Sequence, residues 1–135
     1  IRTDVFKEFL FPEFDGENFI AESSLWLRVA EKYNVLFFNL KGYVCEYQNG
    51  GLTDNSKRNR YNNPRGSMFV YKLQYDSYSL LKMKVKAAIN YWRFYKSSVA
   101  NENPPLIFFP LGLFFKILDN IERFVSESTT RNTKP

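Results

Sequence analysis

A short acidic turn over residues 11–18 leads directly into an apolar segment that begins near Glu22. The large apolar side chains after Glu22 recur at i+4, i+7, i+8 and i+11, which is the spacing of one helix face: Trp26, Val29, Ala30 and Tyr33. The pattern predicts a helix over about 20–33, with Glu22 on the buried side of its first turn. A carboxylate in that position can act as a general base. The alternative is that Glu22 only complements the helix dipole.

The chain contains no histidine and one cysteine, Cys45. Ser-His-Asp catalysis, Cys-His catalysis and histidine-based zinc sites are therefore excluded. A single cysteine cannot form an internal disulfide, which fits a reducing compartment. We expect Cys45 to be a small buried residue in a strand. Carboxylates, lysines, tyrosines and hydroxyls remain for chemistry, so acid-base work by a carboxylate is the most economical enzymatic interpretation.

Charge is distributed unevenly along the chain. Residues 1–50 carry a net charge of −3, residues 51–100 carry +8, and residues 101–135 are neutral. Part of the basic block lies in a turn-rich segment, 50–66, which contains Lys57, Arg58, Arg60 and Arg65. Guanidinium groups pair bidentately with phosphate oxygens, so this segment is either a phosphate-binding loop or an ordinary solvated loop.

Three helices are predicted after this segment. Asn63-Pro64 is typical of an N-cap followed by proline at the first helical position, with the helix running to about Asp76. Ser79 is expected to cap a second helix over 80–96. A breaker cluster, 101–105, then precedes a third helix from about Pro110 to Val125.

The second and third helices have features of a membrane-surface contact. A basic edge formed by Lys82, Lys86, Arg93 and Lys96 suits anionic headgroups, and the segment Phe108–Ile117 supplies apolar side chains. The alternative is that both helices pack in an ordinary core. No run of 18 uncharged apolar residues occurs, so no membrane span is expected. A nucleic-acid partner is not expected, because no recognisable binding fold accompanies the basic residues.

The segments 22–30, 33–39 and 43–53, in this order, resemble the second half of a family 2 glycosyltransferase. These inverting enzymes contain a nucleotide-sugar-binding α/β domain. In the family an acidic pair opens a helix of the form x-x-Leu-Trp-x-Arg, and its second acid is the general base. Aligned on Leu25-Trp26-Leu27-Arg28, the second acid falls on Glu22 and the first on Ala21. The resemblance is best over Phe11–Gly66.

The resemblance implies a role for several residues. Glu22 would be the catalytic base, Glu17 and Trp26 would bind the acceptor, and Glu17 is the alternative acid. The alternative for Trp26 is packing in the core. Arg58, Arg60 and Arg65 would bind the donor diphosphate. The divalent metal of the family, Mg or Mn, is expected in the full-length enzyme without ligands from this chain, because no Asp-x-Asp occurs here. Arg28 is expected to bind a loop carbonyl or a neighbouring acid rather than substrate.

The expected fold is α+β: the C-terminal fragment of a nucleotide-sugar-binding α/β glycosyltransferase domain, helix-rich, with a short strand pair near 34–39 and 43–48 and a C-terminal helical extension. Residues 1–66 would form the acceptor-side, base-bearing end, residues 67–125 the helical extension, and residues 126–135 a disordered tail.

Expected partners are a nucleotide-sugar donor and a saccharide or lipid-linked acceptor. The expected location is the cytoplasm, at the inner face of the cell membrane. Homodimer formation or domain swapping of the fragment is a further expectation. The alternative function is a non-catalytic membrane-surface or protein-interaction module.

Overall fold

The computed structural model describes residues 2–36, 38–40, 42, 44–95 and 103–132, with side chains up to residue 125. The described residues form α-helices and one 3-10 turn, Leu106–Phe108. In chain order the helices are α1 Thr3–Glu8, α2 Ser23–Lys32, α3 Ser56–Asn62, α4 Pro64–Ser77, α5 Leu81–Arg93 and α6 Phe109–Asn132.

The helices pack around α4 and α5. Helices α2, α3 and α5 contact α4, while α6 and the 3-10 turn contact α5. The centre of the core is a buried cluster to which partly buried aromatic side chains are added: Met68, Tyr91 and Trp92, with Tyr71, Tyr95 and Phe108 around them. Much of the aromatic content of the chain is therefore used in helix packing.

The prediction of a helix-rich chain is confirmed, and the bounds of α2 and α4 lie close to those expected. Pro64 occupies the first turn of α4, where its fixed φ and missing N–H are tolerated. Asn63 is the N-cap residue, but its side chain does not cap the helix. The predicted domain boundary between residues 66 and 67 falls inside α4, and this division of the chain stays a prediction.

The predicted strand pair is wrong for the residues that the structure describes. Within 34–39 and 43–48, residues 34–36, 38–39 and 44–48 form no strand and are exposed, whereas Phe37 and Tyr43 lie outside the described residues. A strand requires a neighbour to satisfy its backbone hydrogen bonds. No such neighbour occurs in the described ranges. Cys45 is accordingly exposed rather than buried.

The predicted start of the second helix also needs correction. Helix α5 begins at Leu81 with Leu80 as N-cap and no side-chain capping bond, so Ser79 does not cap it. It ends at Arg93, and Lys96 lies outside the described residues. Its buried residues are Ala87, Ala88, Tyr91 and Trp92, whereas Leu81 is exposed.

Helix α6 is longer than predicted. Its backbone is helical from Phe109 to Asn132, so most of the tail expected over 126–135 continues the helix, and residues 133–135 lie outside the described part. Close approach of α6 to α5 depends on Gly112. A Cβ atom at that position would overlap Trp92 and the backbone of Ile89 and Arg93. None of the described helices is long and apolar enough to cross a bilayer.

Candidate acceptor site

The acidic turn and the start of α2 form the wall of an open groove of about 610 Å³. Seven of the side chains that line it are carboxylates or phenyl rings: Glu13, Asp15, Glu17, Glu22, Phe11, Phe14 and Phe19. Carboxylates accept hydrogen bonds from hydroxyl groups, and aromatic rings provide flat apolar surface. The groove can therefore bind a polyhydroxylated ligand.

Two side chains fix this turn against the start of α4. The carboxylate of Glu17 accepts hydrogen bonds from the backbone N–H groups of Arg65 and Gly66, each at 2.8 Å. In return, the side-chain oxygen of Asn63 accepts from the N–H groups of Asn18 at 2.8 Å and Phe19 at 3.2 Å. These exchanges satisfy free amides at the N-terminus of α4 and in the turn, so the groove has a fixed floor.

A glycine permits this close docking. A Cβ atom at position 66 would lie 2.8 Å from the carbonyl oxygen of Phe19 and 3.0 Å from the side chain of Ile20. Only a residue without a side chain therefore lets the turn reach the amides of α4.

Glu22 is exposed, which corrects the expected burial of its carboxylate. It is the N-cap residue of α2 in a helical conformation and makes no side-chain capping bond. The buried side of α2 carries Ser24, Leu25 and Val29 instead. The predicted stripe is thus rotated by about a quarter turn from the real one. Trp26, 47% exposed, shares the open face with Glu22 at i+4 spacing.

Arg28 ties α2 to the segment after α1. Its guanidinium donates to the backbone carbonyl oxygens of Ser24 at 3.0 Å, Phe9 at 2.9 Å and Leu10 at 3.1 Å. The prediction that Arg28 binds a loop carbonyl is confirmed. The arginine of the segment Leu25-Trp26-Leu27-Arg28 thus has a structural role in this chain.

The three arginines predicted to bind a diphosphate do not share one surface. Arg60 donates to the carbonyl oxygen of Ser56 at 3.0 Å and lines a small cavity together with Ala21 and Ser23, on either side of Glu22. Arg58 is exposed in a different groove, between α3 and α6. Arg65 contributes its backbone N–H to the Glu17 contact. Arg60 therefore shares its cavity with the two sequence neighbours of Glu22, whereas Glu22 itself lines the groove of the acidic turn.

The groove between α3 and α6 contains a charged cluster that the sequence did not predict. Asp119, with its side chain 4% exposed, accepts hydrogen bonds from Arg93 at 2.5 and 2.6 Å and from the Tyr61 hydroxyl at 2.5 Å. Lys57 forms an ion pair with Asp119 at 2.5 Å and another with Glu122 at 2.6 Å. The cluster joins α3, α5 and α6.

Hydrogen bonding determines the ionisation of this cluster. Burial by itself would raise the pKa of Asp119, but the hydrogen bonds from Arg93, Lys57 and Tyr61 outweigh it and lower that pKa to about 2. Burial and the adjacent carboxylate raise the pKa of Tyr61 well above its ordinary value. At neutral pH Asp119 is thus an ionised anchor whose oxygens are already bound by protein donors, which suits a structural role.

Among the residues that the structure describes, no group of three or more cysteine, aspartate or glutamate side chains is placed to hold a metal ion. The divalent metal implied by the resemblance stays a prediction for the full-length enzyme.

Comparison with known proteins found no matching family, no matching curated protein and no matching solved structure.

Proposed function

We propose that this chain is the acceptor-side part of an inverting glycosyltransferase, with Glu22 as general base and the groove beside it as the acceptor site. The supporting observation is the placement of an exposed carboxylate, free of capping bonds, at the edge of a groove lined by carboxylates and phenyl rings. The sequence resemblance suggests the reaction class, and the groove beside Glu22 supports the proposal of an acceptor site there.

In this proposal Glu22 takes the proton of an acceptor hydroxyl as its oxygen attacks C1 of the donor sugar. The bond from C1 to the diphosphate oxygen breaks on the opposite face, which inverts the anomeric configuration. The nucleotide-sugar and its divalent metal, Mg or Mn, are held by the half of the enzyme that the resemblance implies, where the metal would offset the charge of the leaving diphosphate.

The contacts of Glu17 favour Glu22 as the base. Both oxygens of Glu17 accept backbone N–H groups at the start of α4, so taking a proton there would weaken the docking of the turn. Glu17 then positions the groove and can still contact an acceptor hydroxyl through a remaining lone pair. Trp26 offers its exposed ring on the same side of α2 as Glu22, where it can pack against a sugar.

Substitution of the two acids in the full-length enzyme tests this assignment. Glu22→Gln should lower turnover by roughly 10²–10⁴ with little change in melting temperature, because an exposed positioned base is removed. Glu17→Gln should lower the melting temperature. Glu46→Gln, at an exposed glutamate that does not line the groove, is the matched control and should change neither turnover nor melting temperature. Unchanged turnover of Glu22→Gln would refute the assignment, and a comparable loss of turnover for Glu17→Gln alone, without loss of stability, would transfer it to Glu17.

Arg58, Arg60 and Arg65 remain the proposed contacts for the donor diphosphate, and their separation gives an order of effect. Because Arg60 shares a cavity with Ala21 and Ser23, the sequence neighbours of Glu22, Arg60→Ala should weaken nucleotide-sugar binding more than Arg58→Ala. Calorimetry with the donor alone measures this difference. Equal donor affinity in the wild-type protein and both variants would remove these arginines from the donor site.

The second candidate function is a non-catalytic membrane-surface or protein-interaction module. One observation favours it: large apolar side chains of α6 remain exposed. Transfer of sugar by the full-length protein, abolished by Glu22→Gln, would distinguish the enzyme from this module. Surface binding alone would be compatible with both.

A further inference from the structure

Helix α6 packs on the protein with its small and polar side. Gly112 meets α5 at Trp92, Lys116 donates to the carbonyl oxygen of Tyr95 at 2.8 Å, and Asp119 pairs with Arg93. These three α6 residues follow one another at i, i+4 and i+7, so they form one stripe of the helix. An amphipathic helix of a globular protein normally buries its apolar side. The orientation of α6 is the reverse.

The opposite side of α6 is apolar and open. At 100° per residue, the large side chains between Phe109 and Val125 cover an arc of about 160°, and no charged or hydrogen-bonding side chain of these 17 residues lies within it. Their exposed fractions range from 38% to 74%: Leu111, Leu113, Phe114, Ile117, Leu118, Ile121 and Phe124. We call these seven residues the outer face of α6. Leu106 and Ile107, in the preceding 3-10 turn, are also exposed.

The size of this surface requires an explanation. Nine large side chains at these exposures leave roughly 1,000 Å² of apolar surface, whereas the largest apolar patch of a typical monomer is about 300–600 Å². Isolated exposed apolar residues are common, but a continuous face of this size marks a surface that contacts something apolar.

We propose that the outer face of α6 lies in the interface of an anionic lipid bilayer, with the helix axis parallel to the membrane plane. The arc is wider than the narrow seam through which two helices pair, and it suits a partner that contacts the whole face. The polar side of α6 is occupied by α5 and α3, so the helix cannot enter the bilayer upright without leaving the protein.

Charge identifies the kind of lipid. Lys82 and Lys86 are exposed and continue, at helical spacing, the α5 stripe whose residues Ile89 and Arg93 contact Gly112 of α6. The other margin, the groove between α3 and α6, is lined by equal numbers of cations and carboxylates: Lys57, Arg58 and Arg123 with Asp54, Asp119 and Glu122. Exposed lysines on α5, the helix against which α6 packs, match anionic headgroups around buried apolar side chains.

This surface differs from the one expected from the sequence. Arg93, part of the predicted basic edge, is held by Asp119, and Phe108 packs against the core. The contact therefore moves from the edge of α5 to the outer face of α6. The proposal does not depend on glycosyl transfer, because binding to lipid is measured without donor or acceptor.

Co-sedimentation with vesicles tests the proposal. The wild-type protein should bind vesicles of equimolar phosphatidylcholine and phosphatidylglycerol more tightly than vesicles of pure phosphatidylcholine, and salt should reduce the difference.

The double variant Phe114→Glu with Ile121→Glu should bind the vesicles at least tenfold more weakly, an order-of-magnitude expectation for two charges placed in the apolar interface. Lys82→Gln and Lys86→Gln should each weaken binding to the anionic vesicles by about fivefold, the equivalent of about 1 kcal/mol per cation. The matched control, Leu40→Glu with Leu52→Glu, adds the same charges at exposed leucines outside α6 and should bind as the wild type does.

A second measurement avoids reliance on the glutamate variants. In a Cys45→Ser background, Phe124→Cys carrying an environment-sensitive fluorophore should shift to the blue on anionic vesicles. The same label on the exposed native Cys45 should not shift. Absence of vesicle binding by the wild-type protein would overturn the proposal. Concentration-dependent dimerisation abolished by Phe114→Glu with Ile121→Glu, without lipid binding, would identify the outer face as a homodimer interface instead.

Discussion

Glu17 and Asn63 exchange side-chain-to-backbone hydrogen bonds across the junction between the acidic turn and α4. Glu17 binds the amides that follow Asn63, and Asn63 binds the amides that follow Glu17. Each side chain thus holds the other's segment, over a sequence separation of more than 40 residues. Because the junction forms one wall of the proposed acceptor groove, the stability of the fold and the shape of the site depend on the same contacts.

Asn63→Ala should lower the free energy of unfolding by about 1–3 kcal/mol, because the partly buried amides of Asn18 and Phe19 lose their acceptor. Urea denaturation measures this change. Asn62→Ala is the matched control, since Asn62 is the neighbouring asparagine but is exposed, and we expect a change within about 0.5 kcal/mol. Equal effects of the two substitutions would contradict the proposed role of the junction.

Asp119→Ala should lower the free energy of unfolding by about 3–5 kcal/mol, because it removes one partner of a buried pair and leaves Arg93 without it. The same helix offers a matched control in Glu122, which also pairs with Lys57 but whose side chain is 69% exposed. Glu122→Ala should cost no more than about 1 kcal/mol. Thermal or urea unfolding of both variants measures the contrast, and similar losses would show that burial does not determine the strength of this cluster.

The ionisation of Asp119 also predicts a pH dependence. Its pKa falls from the ordinary value of 3.8 to about 2 in the folded chain. A carboxyl group with a lowered pKa stabilises the folded state above its unfolded pKa, and this contribution is lost as the pH falls through the folded value. Between about pH 5 and pH 2, the wild-type protein should therefore lose more stability than Asp119→Asn. Parallel stability curves for the two proteins over this range would be inconsistent with the charged cluster.

Helix existence could be predicted where local signals and packing agree. Pro64 marks the start of α4 because its ring favours the first helical turn whatever the tertiary contacts are. The face that α2 buries was not predictable in the same way. Trp26 and Leu25 are both apolar, and contact with α4 selects Leu25. The two alternatives differ by about a quarter turn of the helix, and only the partner helix distinguishes them.

The missed features depend on residues far apart in the sequence. Tyr61, Arg93 and Asp119 come from three helices, so no local pattern joins them. A weaker signal was present, because Gly112, Lys116 and Asp119 form the less hydrophobic stripe of an otherwise apolar helix. The rule that apolar stripes are buried would turn the apolar side of that helix inward, which is the core-packing alternative and not the orientation found. The predicted strands failed for a related reason, since an extended apolar segment becomes a strand only beside another strand.

The packing of α6 on α5 should be sensitive to a single methyl group. Gly112→Ala places a Cβ atom against Trp92 and against the backbone of Ile89 and Arg93, which cannot move aside as the end of a flexible side chain can. Alanine favours a helix over glycine by about 1 kcal/mol, but overpacking typically costs about 1–3 kcal/mol, and the contact here is with backbone. We therefore expect a net loss of stability and a weaker Arg93–Asp119 contact, measured by urea denaturation. Gly42→Ala, where an added Cβ meets nothing within 4 Å, is the control and should leave stability unchanged. A Gly112→Ala variant as stable as the wild type would show that α6 can shift on α5. The stripe formed by Gly112, Lys116 and Asp119 would then not determine which side of the helix faces outward.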